Sequence, residues 1–151
     1  MGAIQSSICR RGWMQFKDSC YYFEEKPMNF KNAEARCLRR GGTLFVAETV
    51  EEWDEVPLHA PLYEWVWIGL SQRDGQPRPD WGHPGGISLD KVDWLRIPHT
   101  VEENGWNSAV KCVANLNSRI KRFAFFYYCE LKFLSICERN ATLIRLQRLD
   151  E

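Results

Sequence analysis

The residues with most chemistry to offer are six cysteines: Cys9, Cys20, Cys37, Cys112, Cys129 and Cys137. Their number is even and no two form the C-x-x-C knuckle from which zinc sites are generally built. A disulfide framework, and with it an oxidising compartment, is therefore the better reading. Spacing alone leaves every pairing open. With all six thiols taken up in disulfides, no cysteine nucleophile remains. His59, His83 and His99 are isolated, each near a proline, and read as surface side chains. The adjacent carboxylates Glu51-Glu52 and Glu102-Glu103 have nothing in the sequence to raise a pKa or to pair them across a cleft. No G-x-S-x-G, H-E-x-x-H or phosphate-cradling glycine loop occurs. An enzyme is not expected.

Composition narrows the class further. A chain of 151 residues suffices for one domain with a single sizeable core. Twenty basic and twenty acidic residues cancel, which argues against a domain-wide nucleic-acid footprint. The local clusters at Arg39-Arg40 and between Arg119 and Arg122 read as solvated faces. Seven Trp and eight Phe are more than a core of this size requires, so some are candidates for a binding surface. No run approaches the roughly 18 apolar residues of a membrane span, so a membrane would be reached only through a segment absent from this chain. Met1-Gly2-Ala3 leads straight into polar residues without a signal peptide. Together with the cysteines, this suggests a fragment of an extracellular protein, at the cell surface or secreted.

The elements that must position these residues follow from periodicity. Cys9 to Phe23 reads as a β-hairpin turning at Lys17-Asp18-Ser19, which a Cys9–Cys20 bridge would pin. Asn29 reads as the N-cap of a helix to about Arg40, with Phe30, Ala33, Cys37 and Leu38 on one face and Gly41-Gly42 as the stop. Thr43 to Val46 is extended. Thr49-x-x-Glu52 is a capping box opening a second short helix, with Val50 and Trp53 inward and Pro57 and Pro61 ending it. Val66-Trp67-Ile68-Gly69-Leu70 is a buried central strand, and its glycine marks close approach of another chain segment. From Ser71 to about Lys111, prolines, glycines and three exposed-looking tryptophans (Trp81, Trp94 and Trp106) signal a long functional loop, with a possible strand over 91–97. Three further strands follow, over Lys111 to Asn117, Phe123 to Cys129 and Phe133 to Glu138. Asn140-Ala141-Thr142 is an N-glycosylation sequon, and the tail beyond is expected to be poorly ordered.

In order and spacing, these features resemble the C-type lectin-like domain family. The matching residues are Cys9-x-x-Gly12-Trp13-x-x-Phe16-x-x-x-Cys20-Tyr21-x-Phe23, Ala33-x-x-x-Cys37, Gly41-Gly42-x-Leu44 and Trp67-Ile68-Gly69-Leu70. The pair Cys112 and Cys129 and the closing Ile136-Cys137-Glu138 complete the match. The resemblance implies an α+β double-loop fold, two helices flanking two small antiparallel sheets, spanning 9–138 between a flank at 1–8 and a tail at 139–151. It also implies the pairings Cys37–Cys137 and Cys112–Cys129, with Cys9–Cys20 as the extra bridge of the long form.

Sugar-binding members of that family hold Ca²⁺ with oxygens from a Glu-Pro-Asn type tripeptide, whose proline is cis, a nearby Glu, and the Asn-Asp of Trp-Asn-Asp. Counted back from Cys112, the tripeptide place falls on Glu102-Glu103-Asn104, followed by Val110 and Lys111 where a carboxylate is expected. Counted back from Cys129, the second place falls on Ala124-Phe125-Phe126, with no oxygen side chain. Gln76-Pro77-Arg78-Pro79-Asp80 echoes the tripeptide but lies too early. Since Ca²⁺ takes six to eight hard oxygens, no cofactor is expected. The aromatic run from Phe123 to Tyr128 has two readings. Half of it is core and half covers the loop; or Phe125 and Tyr127, flanked by Arg119, Lys121 and Arg122, anchor a protein ligand. Glu102, Asn104 and the loop tryptophans complete the candidate site. The resemblance to the natural-killer-type subgroup implies an immune or cell-surface receptor that binds a protein without calcium. The alternatives are a glycan-binding lectin, an endocytic-receptor module and a homodimer formed through the aromatic strand.

Overall fold

The computed structural model describes residues 9–149; the flank at 1–8 and the last two residues of the tail lie outside the described residues. The N-terminal hairpin forms as expected. Strand β1 (Met14–Phe16) pairs antiparallel with β2 (Ser19–Met28) around a turn in which Lys17 takes a φ of 53°. Helix α1 (Phe30–Arg39) starts where the Asn29 side chain accepts a hydrogen bond from the Asn32 amide at 2.8 Å, and ends before Gly41, whose φ is 84°. Its buried face is Phe30, Ala33 and Cys37. Leu38, expected on that face, is 68% exposed. It sits about 100° past Cys37 around the helix, off the edge of the stripe.

Strand β3 (Thr43–Leu44) leads to α2 (Val50–Glu55), capped by Thr49, whose hydroxyl accepts from the Glu52 amide at 3.0 Å. The expected inward Val50 is exposed, and Glu52 takes the buried place beside Trp53. The Glu52 carboxylate accepts the Glu48 amide and is hydrogen-bonded by the Tyr21 hydroxyl, which turns it inward. Pro57 does not end the helical path. It enters a 3₁₀ turn, Val56–His59, at a position where its missing N–H costs nothing.

Strands β4 (Trp65–Ser71), β5 (Asp80–Trp81), β6 (Cys112–Asn117), β7 (Arg122–Tyr127) and β8 (Phe133–Arg139) complete the sheet. Its order is β1-β2-β8-β4-β6-β7, with β3 on β8 and β5 on β4. Two antiparallel sets are joined by a parallel pairing of β4 with β8, where Val66 faces Leu134 and Trp67 faces Ser135. The two small sheets are thus hydrogen-bonded into one. Around Trp94, residues 91–97 do not form the expected strand; one bridge to Ala124 is their link to the sheet. The tail also departs from expectation. Helix α3 (Ala141–Leu149) is capped by Asn140, whose side-chain oxygen accepts from the Leu143 amide at 2.8 Å. Ile144 is buried, Ala141 N–H donates to the Ser19 hydroxyl, and the Gln147 amide donates to the Gly41 carbonyl. A sequon asparagine that doubles as an N-cap carried a helix signal that the tripeptide concealed.

Alternation along β4 divides the interior. Val66, Ile68 and Leu70 face one cluster with Tyr21, Phe45, Trp53, Trp81, Trp94 and Phe126. Trp67 faces the other, with Phe30, Ala33, Cys37, Cys112 and Cys137. Gly69 permits the contact between β4 and the segment after β3: a Cβ there would lie 2.8 Å from the Phe45 carbonyl oxygen. The disulfides are Cys9–Cys20, Cys37–Cys137 and Cys112–Cys129, with Cα separations of 5.5, 5.3 and 5.2 Å. These are the pairings the resemblance implies.

Candidate functional site

The long segment between β4 and β6 is held by tryptophans, two of which turn inward rather than outward. Trp81 is 4% exposed and its indole N–H donates to the Ile87 carbonyl at 2.8 Å. Trp94 is 1% exposed, donates to the Leu89 carbonyl at 2.8 Å, and stacks on Phe126 with ring centres 5.5 Å apart. A large apolar ring with one satisfied donor is more stable under the loop than on it. Both are therefore corrected from candidate ligand contacts to wedges that fasten the loop to the core. Trp106 differs. It is half-buried, donates to the Gln72 side-chain oxygen at 2.9 Å, and carries the Arg78 guanidinium 5.1 Å from its ring centre.

The candidate oxygen donors are spent on structure. Asn104 is fully buried; its side-chain oxygen accepts from the Arg96 amide at 2.7 Å and its amide nitrogen donates to the Thr100 carbonyl at 2.7 Å. It staples the loop to itself and presents nothing to a ligand, which corrects its candidacy. Glu102 is exposed and paired with Arg78 at 2.8 Å, and this partner holds its carboxyl below the usual range. The cis peptide in the loop is Ile97–Pro98, flanked by Ile97, 86% exposed, and His99. On β7, Ala124 and Phe126 are buried and Phe125 is half-exposed. Among the described residues, no three His, Cys, Asp or Glu side chains gather where they could hold a metal ion. These residues do not fit the calcium sphere that the fold implies.

What stands at the loop face is a layer of rings capped by cations. Phe125 lies against Gly105, where a Cβ would come within 2.9 Å of the ring, and Gly105 has a φ of 99°. Arg96 sits 5.6 Å above Phe125, and Tyr127 packs edge-on against it at 5.8 Å. Partial burial pushes the Tyr127 hydroxyl pKa up. Tyr127 continues to Trp65 at 4.8 Å and Phe133 at 5.5 Å, so half-exposed rings cover one end of the sheet. At the β6–β7 turn Arg119 and Lys121 are exposed, with Lys121 5.9 Å from the Phe123 ring centre and Ile120 97% exposed between them. Arg122, expected on this rim, turns away. It donates to the Trp53 carbonyl at 2.5 Å and pairs with Asp54 and Asp93. Arg78 and Arg96 are the members that sequence reasoning missed. Only the folded loop brings them over Trp106 and Phe125.

A separate polar cluster lies between β2, α2 and β8. The Glu138 carboxylate, 1% exposed, accepts from the Val46 amide at 2.5 Å, and the Tyr21 hydroxyl meets Glu52. Burial raises the pKa of Glu138 well above the carboxylate range, and that of Glu52 in the same direction. Glu138 is the last residue of the matching Ile136-Cys137-Glu138, but its raised pKa was not legible from sequence.

The model of the lectin C-type domain family matches residues 26–139. The chain is also 39% identical over 148 residues to C-type lectin domain-containing protein 91 of Caenorhabditis elegans, covering 93% of this chain and 66% of that protein. Among solved structures, the carbohydrate-recognition domain of cow CD23, determined in the presence of GlcNAc2Man3 oligosaccharide, is similar with a TM-score of 0.70. Identity is 25%, over 88% of this chain and 96% of that one. A calcium-independent type II antifreeze protein shares the fold, with a TM-score of 0.68 and 22% identity over 91% of this chain and 98% of that one. The chain belongs to the C-type lectin domain family. It is accordingly a recognition domain of extracellular type and not a catalyst. It spans just under two thirds of the length of curated relatives that it matches. None of its described helices is long and apolar enough to cross a membrane.

Proposed function

We propose that this domain is the ligand-binding head of an immune or cell-surface receptor, glycosylated at Asn140, and that it binds a protein ligand without calcium through its loop face. The observation that carries this reading is the replacement of oxygen donors by capped aromatics: Phe125 under Arg96, Trp106 under Arg78, Tyr127 beside them. Aromatic and Arg side chains are enriched at protein interface hot spots, where they fill well-packed, desolvated pockets. Arg119 and Lys121 form a basic rim suited to steering an acidic partner. The test is binding of the domain to cells displaying candidate ligands, with and without chelator. Chelator should leave binding unchanged, and Phe125→Ser should weaken it at least tenfold. Chelator-sensitive binding to a glycan array would overturn the proposal.

One observation favours a second reading, that of a sugar site outside the family's calcium position. Trp106 is the loop tryptophan that keeps part of its ring at the surface, and an indole face stacks sugars. Glycan binding that resists chelator and is lost in Trp106→Ala would select it.

A further inference from the structure

Away from the loop face, a cleft of about 390 Å³ opens between the end of β2, one face of α1 and the residue before β8. Three local features build it. The register of β2 against β8 shifts between Glu24 and Met28, a bulge that carries Lys26 and Pro27 past the ladder. Pairing resumes where Met28 faces Phe133, next to Lys132, and the Met28 carbonyl is fixed by the Trp67 indole N–H at 2.9 Å. On α1, Asn32, Arg36 and Arg39 recur at the four- and three-residue spacing that puts them on one face. The cleft is thus lined by Lys26, Arg36, Arg39 and Lys132, with Asn32 between them and no carboxylate in the lining.

This concentration of charge is unusual for the chain. Acidic and basic residues balance over the whole sequence, yet here four cations share one opening. Arg36 is 3.7 Å from Glu24, but that carboxylate is held more closely by Arg40 at 2.8 Å. Arg36 and Arg39 also suit the negative end of the α1 dipole. That role does not extend to Lys26, on β2, or to Lys132, just before β8. Like charges so placed repel one another unless an anion joins them. Within a Debye length of about 8 Å at physiological salt, their fields add and raise local anion concentration.

We infer that this cleft binds a sulfated oligosaccharide, the sulfate esters lying against Lys26, Arg36, Arg39 and Lys132. The lining favours that partner over an acidic peptide. Apart from Met28 and Pro27 it is polar, with no aromatic pocket to take a peptide side chain, whereas the fork of Arg matches tetrahedral oxyanions. None of its residues belongs to the long loop, so this inference stands apart from the proposed loop-face recognition.

The test is calorimetric titration of the full chain with a heparin-derived hexasaccharide, its desulfated counterpart and hexaglutamate. Two charge-matched triple variants accompany the parent: Lys26→Glu/Arg39→Glu/Lys132→Glu in the cleft, and Arg11→Glu/Lys91→Glu/Arg145→Glu at exposed positions elsewhere. The sulfated hexasaccharide should bind the parent and the remote variant alike, and the cleft variant at least tenfold more weakly. Affinity should fall steeply with salt, and the desulfated sugar should not bind. A milder Lys26→Gln/Arg39→Gln/Lys132→Gln variant, checked for native circular dichroism, guards against misfolding and should also lose affinity. Absence of binding by the parent would overturn the inference. So would equal losses in both variants, equal binding of the desulfated sugar, or equal binding of hexaglutamate.

Discussion

The disulfide-tied sheet and the long loop solve the same problem with different materials. In the sheet, backbone ladders and two apolar clusters do the holding, and the Cys37–Cys137 link closes the chain across a separation of 100 residues. In the loop, regular pairing is sparse. Order there comes from single side chains, each doing the work of a ladder: Trp81 and Trp94 driven under it, and Asn104 bonding four backbone groups within it. A region held by a few anchors can vary its surface without unfolding the domain. That is how the face can carry rings and guanidinium groups where the family's sugar-binding members carry oxygens.

The comparison can be broken by experiment. Removing the Cys37–Cys137 link should cost about 4–5 kcal/mol of unfolding free energy, because it frees a loop of roughly 100 residues in the denatured chain. Urea denaturation of the double Ser variant measures this. Trp94→Ala should cost about 3–5 kcal/mol, the usual range for emptying the site of a large buried ring. Trp106→Ala, at a half-exposed position, should cost about 1 kcal/mol. Equal losses at the two positions would mean that the loop is not wedged. A smaller effect depends on pH. Glu138 and Glu52 have raised pKa values in the folded state, so protonation favours folding. Their contribution is complete below the unfolded carboxyl value of about 4.3 and is lost as pH rises through the raised folded values. Glu138→Gln should therefore stabilise the domain at neutral pH and flatten its pH dependence; a destabilised variant would contradict this. Least of all, Glu102→Gln should leave stability within experimental error, since both members of the pair with Arg78 are more than half exposed.

Much of the sheet region was legible because its determinants are local. The Asn29 cap, the spacing of Phe30, Ala33 and Cys37, and the tight Gly69 contact each act within a turn or between adjoining strands. A residue's place is not legible where it depends on a distant partner. Val50 lost its inward place to Glu52 because Tyr21, on β2, offers a hydroxyl. Trp81 and Trp94 resemble surface residues beside prolines and glycines, yet Trp53 and Phe126 provide the rings against which they pack.

The sequence by itself determined the family and the six cysteines as a disulfide framework. These properties depend on residue identity in order along the chain. Only the tertiary structure decided that Asn104 is a staple, that Arg78 and Arg96 cap the loop rings, and that Lys26 and Lys132 share a cleft with α1. Each of those outcomes requires segments far apart in the chain to meet, and burial and charge proximity exist only after they have done so.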